Sequence, residues 1–404
     1  MLYTHFTEKI LGLQDVIITN IEDNGKELTL YAELKRKEHT CPCCGKKTDK
    51  VHDYRKQGIR DISAFGKAVT LVLKKRRYCC PDCKKRFFEE NSFLPRYYRR
   101  TSRLTAYIIE KLRSECSFSS VARELNISVT TVIRTFDLVS YSKAKVLPAV
   151  LSIDEFKGNT GKEKYQCILT DPDSGVVLDI LPKRYEHYLT GYFKEIPKAE
   201  REKVKYFVSD MWKPYTGFAS AWLKNAVQVV DKYHWIRQVI WAFEKVRKEE
   251  QSRFSKDYRK YFKHSRKLLL KRFSLLNDEQ KQQVNVMLYA SPSISTAHFY
   301  KEDFMKILEC TNRETAKQYM AEWLESAQNC GLIPFEKCAK TLHTWMTGIL
   351  NSFSVPYTNG FTEGCNNKIK VLKRNAYGYK SFSRFRNRIL HMFSHQKYQK
   401  MVTA

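Results

Sequence analysis

The residues of this sequence that could do chemistry are three widely spaced carboxylates and two pairs of cysteines. Asp154 lies within a short apolar run at residues 149–158. Asp210 ends a second run, at residues 204–210. Such runs are typical of buried strands, where an ionised carboxylate is costly unless it is paired or binds a metal. Asp154 therefore either closes its strand and caps the loop at Gly158, or belongs to a metal site.

The third carboxylate, Glu363, lies at the start of a predicted helix at residues 361–374. Helical spacing places Asn367, Lys370 and Arg374 on the same face, so a carboxylate at one end leads into a basic track. A lone acidic residue in a first helical turn usually does no more than interact favourably with the helix dipole. Beside the two aspartates, we interpret it instead as the third member of one acidic site.

Three carboxylates within a few ångströms of one another would protonate unless a cation neutralised them. Two divalent ions about 3.5 to 4 Å apart would supply that charge, one activating the attacking oxygen and one stabilising the leaving oxygen of a phosphodiester. Oxygen ligands favour Mg²⁺ or Mn²⁺ over Zn²⁺. We therefore predict phosphoryl transfer on DNA. Water attacks first and frees a 3′-OH, which then attacks a second strand without a covalent protein intermediate.

Four of the twelve cysteines form two C-x-x-C pairs, each beginning with Cys-Pro. The expected zinc ligands are Cys41, Cys44, Cys80 and Cys83. Each turn lets two thiolates reach one tetrahedral Zn²⁺, and a predicted strand at residues 69–78 delivers the second pair. The pattern resembles a zinc ribbon with a structural metal and basic flanks that could contact phosphates. Cys43 and Cys79 adjoin the ligands and are alternatives to them.

Residues 103–140 have the order of a helix-turn-helix. Ser119 is predicted to cap one short helix and Ser128 the next, while Asn126 tolerates the left-handed turn conformation and Val132 faces inward. The side chains expected to project from the second helix toward DNA are Thr130, Thr131, Arg134 and Thr135. The alternative is a helical pair with no role in DNA binding.

The region after residue 148 is predicted as three strands in a meander, followed by helix, strand, helix and strand. The strands are expected at residues 149–158, 165–170, 176–181, 204–210 and 226–231. This is the ribonuclease H order, in which acidic residues on the first and fourth strands lie side by side. Asp154 and Asp210 would then meet at one edge of the site.

The predicted fold class is therefore multidomain α+β. The expected domains are a zinc-ribbon DNA-binding domain at 1–95, a helix-turn-helix at 96–146, the first part of an RNase H-like catalytic core at 147–240, an all-helical insertion at 241–352, and the last catalytic helix with a basic tail at 353–404. Residues 253–267 in the insertion carry seven Lys and Arg. They form either a solvated charged face or a DNA contact, and intervening aromatic residues favour DNA.

Charge also indicates a polyanionic partner. The 404 residues contain 72 Lys plus Arg against 43 Asp plus Glu, a net charge of +29 spread along the chain. No apolar run reaches about 18 residues, so nucleic acid is favoured over membrane, with a generally basic protein as the alternative. Residues 1–8 lack a charged start followed by an apolar core. We predict a cytoplasmic, nucleoid-associated bacterial protein with reduced thiols.

These motifs resemble those of the ISL3 family of bacterial insertion-sequence transposases, over nearly the whole chain. The segments that carry the resemblance are 80–87, 153–156, 209–215, 231–234 and 358–378. The resemblance implies a DDE triad of Asp154, Asp210 and Glu363. It also implies that Asp231 and His234, which look like the family's D-x-x-H element, lie at the rim of the site; a packed His near a strand end is the alternative. Cys79 departs from the family's pattern.

The sequence thus predicts a DNA transposase that recognises terminal inverted repeats through the ribbon and helix-turn-helix, and cuts and joins DNA with two Mg²⁺ or Mn²⁺ ions. The basic residues expected on DNA from the last helix are Lys370, Lys373 and Arg374. A homodimer bridging paired ends is expected, with target DNA as a further partner. The rival functions are an RNase H-fold nuclease or resolvase that cuts without joining, and a DNA-binding regulator without activity.

Overall fold

The computed structural model of the chain describes residues 11–13, 15–161, 163–264 and 266–402, with side chains as far as residue 394. Residues 1–8, for which no secretory signal is predicted, lie outside this range. Contacts divide the chain into two compact units. The first contains residues 1–141 and 371–395, and the second contains residues 142–370 and 396–404. None of the described helices combines the length and the apolar character needed to cross a membrane.

The first unit is built on a five-stranded sheet. Its strands, with a separate short pair, are β1 (Val16–Asp23), β2 (Glu27–Leu34), β3 (His39–Thr40), β4 (Lys47–Thr48), β5 (Val51–Ala64), β6 (Lys67–Cys79) and β7 (Arg86–Phe88). The sheet order is β1-β2-β6-β5, with β7 on β6, while β3 pairs with β4. A turn at Asn24-Gly25 joins β1 to β2 as a hairpin, with Gly25 at a φ of 84°. Alternating buried residues on β2 and β6 form the core side of the sheet.

Three helices follow, α1 (Ser102–Lys111), α2 (Phe118–Glu124) and α3 (Val129–Phe136). Ser128 caps α3 as predicted, and Asn126 adopts a φ of 52° in the turn before it. The predicted cap at Ser119 is wrong, because the Ser117 side chain accepts from the Ser120 backbone N–H and Ser119 lies within the first turn. The helical order is that of the predicted helix-turn-helix.

The second unit contains a mixed sheet of five strands. They are β8 (Val150–Thr160), β9 (Glu163–Asp171), β10 (Val176–Leu181), β11 (Tyr206–Ser209) and β12 (Val227–Val230). Helices α4 (Glu186–Lys194), α5 (Lys198–Glu202) and α6 (Lys213–Trp222) connect the later strands. The order is β10-β9-β8-β11-β12, with an antiparallel meander from β8 to β10 and with β11 parallel to both β8 and β12. The predicted ribonuclease H order is confirmed.

Backbone pairing brings the ends of three neighbouring strands into register. Ser152 on β8 lies opposite Val208 on β11, and Ser209 on β11 lies opposite Val230 on β12. Continuing this register toward the carboxyl edge of the sheet aligns Asp154, Asp210 and Asp231. Because neighbouring strands lie about 4.8 Å apart, the fold places three acidic residues side by side.

A helical segment separates β12 from the last part of the unit. Its helices are α7 (Lys232–Arg253), α8 (Lys256–His264), α9 (Arg266–Leu270), α10 (Asp278–Ala290), α11 (Pro292–Ile307), α12 (Arg313–Gln328), α13 (Ile333–Thr344) and α14 (Met346–Asn351). They bury a core of their own around Trp235, Phe304 and Trp323. The predicted all-helical insertion is confirmed, and its helices lie between residues 232 and 351.

Two long helices, α15 (Gly360–Asn375) and α16 (Phe382–Val402), end the chain. Residues 371–395 group with the first unit, whereas the sequence prediction assigned all of 353–404 to the catalytic core. One contact that holds α16 within the first unit is made by a buried cation. Arg388 donates to the carbonyl oxygens of Leu112, Ser114 and Cys116, the last two at 2.8 and 2.9 Å. These bonds satisfy the carbonyls at and after the end of α1.

A buried carboxylate joins the sheet of the first unit to α1. Asp61 on β5 accepts from the Thr101 hydroxyl at 2.7 Å and from Arg103 Nε at 2.8 Å, and its side chain is 1% exposed. Thr101 is itself the cap of α1. Burial raises the pKa of Asp61, but the bonds from Arg103 and Thr101 outweigh burial and hold the pKa below its usual value.

We expect Asp61→Asn to weaken this junction. Removing one charge of a buried ion pair costs about 3 kcal/mol. Hydrogen exchange of the full chain, followed by mass spectrometry, should therefore give a free energy of opening for residues 102–111 that is lower by about that amount. The depressed pKa means that the difference is complete above pH of about 4 and is lost as the pH falls through the folded pKa.

The matched control is Asp15→Asn, which removes an exposed carboxylate 3.2 Å from Lys37. It should change the free energy of opening by less than about 0.5 kcal/mol. Equal exchange in the Asp61 variant and the wild type would show that the buried pair does not hold α1 to the sheet.

Candidate active site and metal centres

Asp154, near the middle of β8, faces α15. Its Oδ2 accepts from Asn366 Nδ2 at 2.8 Å, its Oδ1 accepts from the Glu155 backbone N–H at 2.8 Å, and the residue is 9% exposed. Burial raises its pKa to about 6, with further contributions from the negative charges of Glu155, Glu363 and Asp231. The carboxylate is thus oriented by two donors, and no Lys or Arg in the described part of the chain forms an ion pair with it.

Asp210 follows the last residue of β11, next to Asp154 in register. Burial raises its pKa to about 7, and the charges of Glu155 and Asp154 add to the effect. Its Oδ1 is buried and has no hydrogen-bond partner among the described residues. A buried oxygen without a donor is costly, so this atom is suited to binding a ligand or ion.

Glu363 in the first turn of α15 lies beside the D-x-x-H segment. The ligand atoms of Asp231, His234 and Glu363 are all within 4.8 Å of one another. Burial and then the charge of Asp231 raise the pKa of Glu363, whereas Lys370 and Arg237 oppose them. Burial lowers the pKa of His234 and favours its neutral form. Asp231 accepts from the backbone N–H groups of Tyr233 and Asn359, at 3.2 and 2.9 Å.

The compact acidic group therefore differs from the predicted one. Among the described residues, the acidic group with all ligand atoms within 4.8 Å contains Asp231, His234 and Glu363 rather than Asp154, Asp210 and Glu363. Charge interactions still connect Asp154 to Glu363 and to Asp210. The residues predicted for the rim thus contact the predicted third acid more closely than the other two acids do.

A buried polar network between the sheet and α15 was not predicted. The Thr362 hydroxyl lies 2.7 Å from that of Thr170 and 3.0 Å from that of Ser152, which also donates to Asn359 Oδ1. Asn366, one helical turn after Thr362, bonds Asp154. The three- and four-residue spacing of these polar side chains on a helix facing an apolar strand was the available signal.

Glu155 is an acidic residue next to Asp154 for which no role was predicted. It accepts from Arg184 Nη1 at 2.8 Å and from the Tyr215 hydroxyl at 3.4 Å. The Arg184 guanidinium also lies over the rings of Tyr165 and Trp212, at 4.8 and 5.2 Å from their centroids. Arg184 therefore supplies a fixed positive charge on the side of the sheet opposite α15.

The donor set fits divalent cations. Buried carboxylates with raised pKa values lie side by side, and both Asp210 Oδ1 and Asn366 Oδ1 are buried oxygens without a partner among the described residues. Oxygen donors of this kind suit Mg²⁺ or Mn²⁺. A divalent cation would lower the raised pKa values by stabilising the ionised forms.

The four predicted cysteines come together in the first unit. The Sγ atoms of Cys41, Cys44, Cys80 and Cys83 lie within 4.8 Å of one another. Sγ distances of 3.5 Å, Cys41 to Cys83 and Cys44 to Cys80, are close to the separation of about 3.8 Å expected around tetrahedral zinc. The alternatives Cys43 and Cys79 lie outside this group. The geometry supports a structural zinc site.

Both turns of the cysteine site are built in the same way. The backbone N–H of Gly45 donates to the carbonyl of Cys41 at 3.0 Å, and that of Lys84 donates to the carbonyl of Cys80 at 3.1 Å. Gly45 and Lys84 both have positive φ, 75° and 58°. Equivalent turns direct each thiol pair to one point, which is why the two motifs share a spacing.

The recognition-helix predictions are partly wrong. Thr130 and Arg134 are exposed and Thr131 is half-buried on α3. Thr135, however, is completely buried and its hydroxyl donates to the Thr131 carbonyl at 2.7 Å, so it does not project toward DNA. On α15, Lys370 and Arg374 are exposed and Lys373 is half-buried.

Comparisons with known families cover most of the chain. The DDE family of ISL3 elements, described as "Transposase", matches residues 151–389. The zinc finger of transposases IS204, IS1001, IS1096 and IS1165 matches residues 37–83, and the helix-turn-helix domain of transposase family ISL3 matches residues 89–139.

Individual proteins are similar to this chain over different shares of its length. The transposase of insertion sequence IS1001 from Bordetella parapertussis is 28% identical over 94% of this chain and 96% of its own length. The transposase of IS1557 from Mycobacterium tuberculosis is 20% identical over 54% of each chain. An ATP-dependent protease from Lactococcus lactis is 31% identical, but over 26% of this chain and 33% of that protein.

We expect Cys44→Ser to remove zinc from the full chain, because three thiolates hold a structural ion far less tightly than four. Elemental analysis should show about one zinc per chain in the wild type and little in the variant. Affinity for duplex DNA should fall about tenfold or more as the ribbon loosens. Cys43→Ser is the matched control and should retain its zinc. Zinc loss in the control variant instead would mean that the ligand register is shifted by one residue.

Proposed function

Because this chain belongs to the ISL3 family of DNA transposases, we propose that it binds the terminal inverted repeats of its own insertion sequence and catalyses strand cleavage and strand transfer there. The observation that carries the proposal is the alignment of acidic residues on three neighbouring strands, with Glu363 on the helix that packs against them. We assign catalysis to Asp154, Asp210 and Glu363.

Two divalent ions, Mg²⁺ or Mn²⁺, are the proposed cofactors of this site. Asp154, Asp210 and Glu363 would hold them, with Asp231 and His234 beside Glu363. When bound, such ions activate the attacking oxygen and stabilise the leaving oxygen of a phosphodiester. The raised pKa values of Asp154 and Asp210 and the unpartnered Asp210 Oδ1 support this assignment.

The protein's own contribution would be orientation. The amide of Asn366 and the backbone N–H of Glu155 hold the two oxygens of Asp154 in place, and the hydroxyl network of Thr362 holds α15 against the sheet. Fixed ligands keep the geometry needed for in-line displacement. Water would first cleave the phosphodiester at the end of the element and release a 3′-OH. That hydroxyl would then displace a 3′-oxygen in target DNA.

Recognition of the ends is proposed for the first unit. Thr130, Thr131 and Arg134 on α3 would face base edges or phosphates, and the zinc-bound ribbon would support them. Lys370, Lys373 and Arg374 on α15 would bind phosphates. Because cleavage of both ends must be coordinated, we propose a homodimer on paired ends.

Asp154→Asn should abolish cleavage and joining while leaving DNA affinity within about twofold, because the change removes a charge from the proposed ion site and keeps the side-chain shape. The rate of cleavage should fall at least about a thousandfold, as it does when an enzyme loses one residue of a group that acts together in catalysis. A strand-transfer assay with labelled repeat ends and Mg²⁺ measures both steps, and fluorescence anisotropy measures binding.

Asp173→Asn is the matched control, since Asp173 is exposed in the turn after β9 and should tolerate the change. Loss of binding in a folded Asp154 variant would contradict the assignment to the ion site. With wild-type protein, cleavage without joining would indicate a nuclease, and a mobility shift without cleavage would indicate a regulator.

A further inference from the structure

A cleft in the first unit lies between the start of α3 and the ribbon sheet. It has a volume of about 570 Å³. Its polar lining consists of Arg60, Arg99, Arg100, Asn126, Ser128 and Thr131, with Leu104 and Ile127 as the apolar part. Three different segments of the chain form the cleft, and none of them contributes an acidic residue to its lining. The cleft is therefore a preformed positive site beside the helix that is proposed to read DNA.

Backbone bonds fix the three arginines relative to one another. The backbone N–H of Arg60 donates to the Arg99 carbonyl at 2.9 Å, and the N–H of Thr101 donates to the Arg60 carbonyl at 3.0 Å. Arg60 and Arg100 form a parallel bridge, so the segment before α1 adds to the edge of β5. Because the Cα positions are held by ladder bonds, the guanidinium groups lose less freedom on binding than those on a loop would.

The positive charge of the cleft is only partly neutralised. Arg60 Nη1 donates to Glu27 at 2.6 Å and to the Thr70 hydroxyl at 2.8 Å. Arg100 Nε donates to the Thr105 hydroxyl at 3.1 Å, and its guanidinium lies over the Tyr98 ring. No acidic residue that the structure describes forms an ion pair with Arg100. Within the described part of the chain, the Arg99 side chain makes no hydrogen bond or ion pair. Arg99 and Arg100 thus have no acidic partner among the residues at positions 11–13, 15–161, 163–264 and 266–394.

The start of α3 adds to this field. Ser128 satisfies the Thr131 N–H through its side chain at 3.1 Å. The N–H groups of the first two helical residues have no carbonyl partner within a helix, and the helix dipole is positive at this end. Arginine forks and helix N-termini both suit the same ligand, a phosphate oxygen.

We infer that this cleft binds a phosphate of the DNA backbone next to the bases that α3 contacts, through Arg99 and Arg100. The inference rests on the proposed recognition of inverted repeats by α3. A phosphate held here would set the register and the angle at which Thr130 and Arg134 approach the major groove. It also gives the ribbon sheet a direct part in DNA binding, because β5 forms one wall of the cleft.

The test is the salt dependence of DNA binding by the full-length double variant Arg99→Gln/Arg100→Gln. Anisotropy with a repeat duplex and with a scrambled duplex is measured between about 50 and 300 mM salt. The slope of log K against log salt should fall in magnitude by about one for each lost phosphate contact. Affinity should fall equally for both duplexes, so that their ratio is unchanged.

Two further variants make the result specific. Arg313→Gln removes one exposed positive charge from the helical insertion and should leave the slope unchanged. Arg134→Ala should lower the ratio of repeat to scrambled affinity, because it is proposed to contact bases. An unchanged slope in the double variant would overturn the phosphate site, and so would a loss confined to the repeat duplex.

Neutral methylphosphonate linkages identify the phosphate itself. A linkage at one or two positions of the repeat should weaken binding by the wild type and have little effect on the double variant, since both changes remove the same contact. If the loss of affinity from the linkage and the loss from the double variant were additive at every position, the phosphate site would be contradicted. Inorganic phosphate at millimolar concentration should not compete, which separates a DNA phosphate from a free anion. If the wild type binds the repeat no better than the scrambled duplex, the proposed function is contradicted. The salt slope of the double variant would still test the phosphate site separately.

Discussion

Repulsion between buried carboxylates is the constraint on which the catalytic unit depends. The parallel register of β8, β11 and β12 aligns Asp154, Asp210 and Asp231, and burial raises the pKa values of the first two to about 6 and 7. A fold selected for stability alone would avoid this arrangement, because each ionised group opposes the next. The fold keeps it by surrounding the acids with fixed donors, among them Asn366 and the Asn359 backbone N–H. Those donors orient oxygens, and only a cation can balance the charge.

The helical insertion does not alter the register of β8, β11 and β12, because it has a hydrophobic core of its own. It leaves the sheet at Asp231, which caps α7, and it returns to the sheet through α14. There, Asn351 Nδ2 donates to the Gln228 carbonyl at 2.8 Å, and a Cβ on Gly348 would lie 2.7 Å from Val230 Cγ2. Glycine is therefore needed for α14 to approach β12 closely. Both ends of the insertion are thus anchored next to β12, the strand that directly precedes Asp231.

Local patterns could predict much of this structure, since strand alternation, the cysteine spacing and the caps depend on neighbouring residues. The ribonuclease H order follows from the succession of elements, and the zinc ligands follow from the two turns. Contacts between segments far apart in the chain were harder to predict, and one local prediction, the cap at Ser119, is wrong by two residues. Thr135 is buried because it lies three residues after Val132, on the same inward face of α3. The close approach of Asp231, His234 and Glu363 depends on how α15 packs against the sheet. No periodicity could show that Asn366 bonds a carboxylate 212 residues earlier.

The helix-turn-helix illustrates how a small module is stabilised by what surrounds it. Its three helices share a core of few residues, which is too little to hold a fold alone. Asp61 on the ribbon sheet fixes the start of α1, and Arg388 on α16 satisfies the carbonyls at its end. Both anchors act on α1 and neither covers the exposed side of α3 that carries Thr130 and Arg134. The same contacts that stabilise the module thus leave α3 accessible. Arg60, next to Asp61 on β5, lies beside α3.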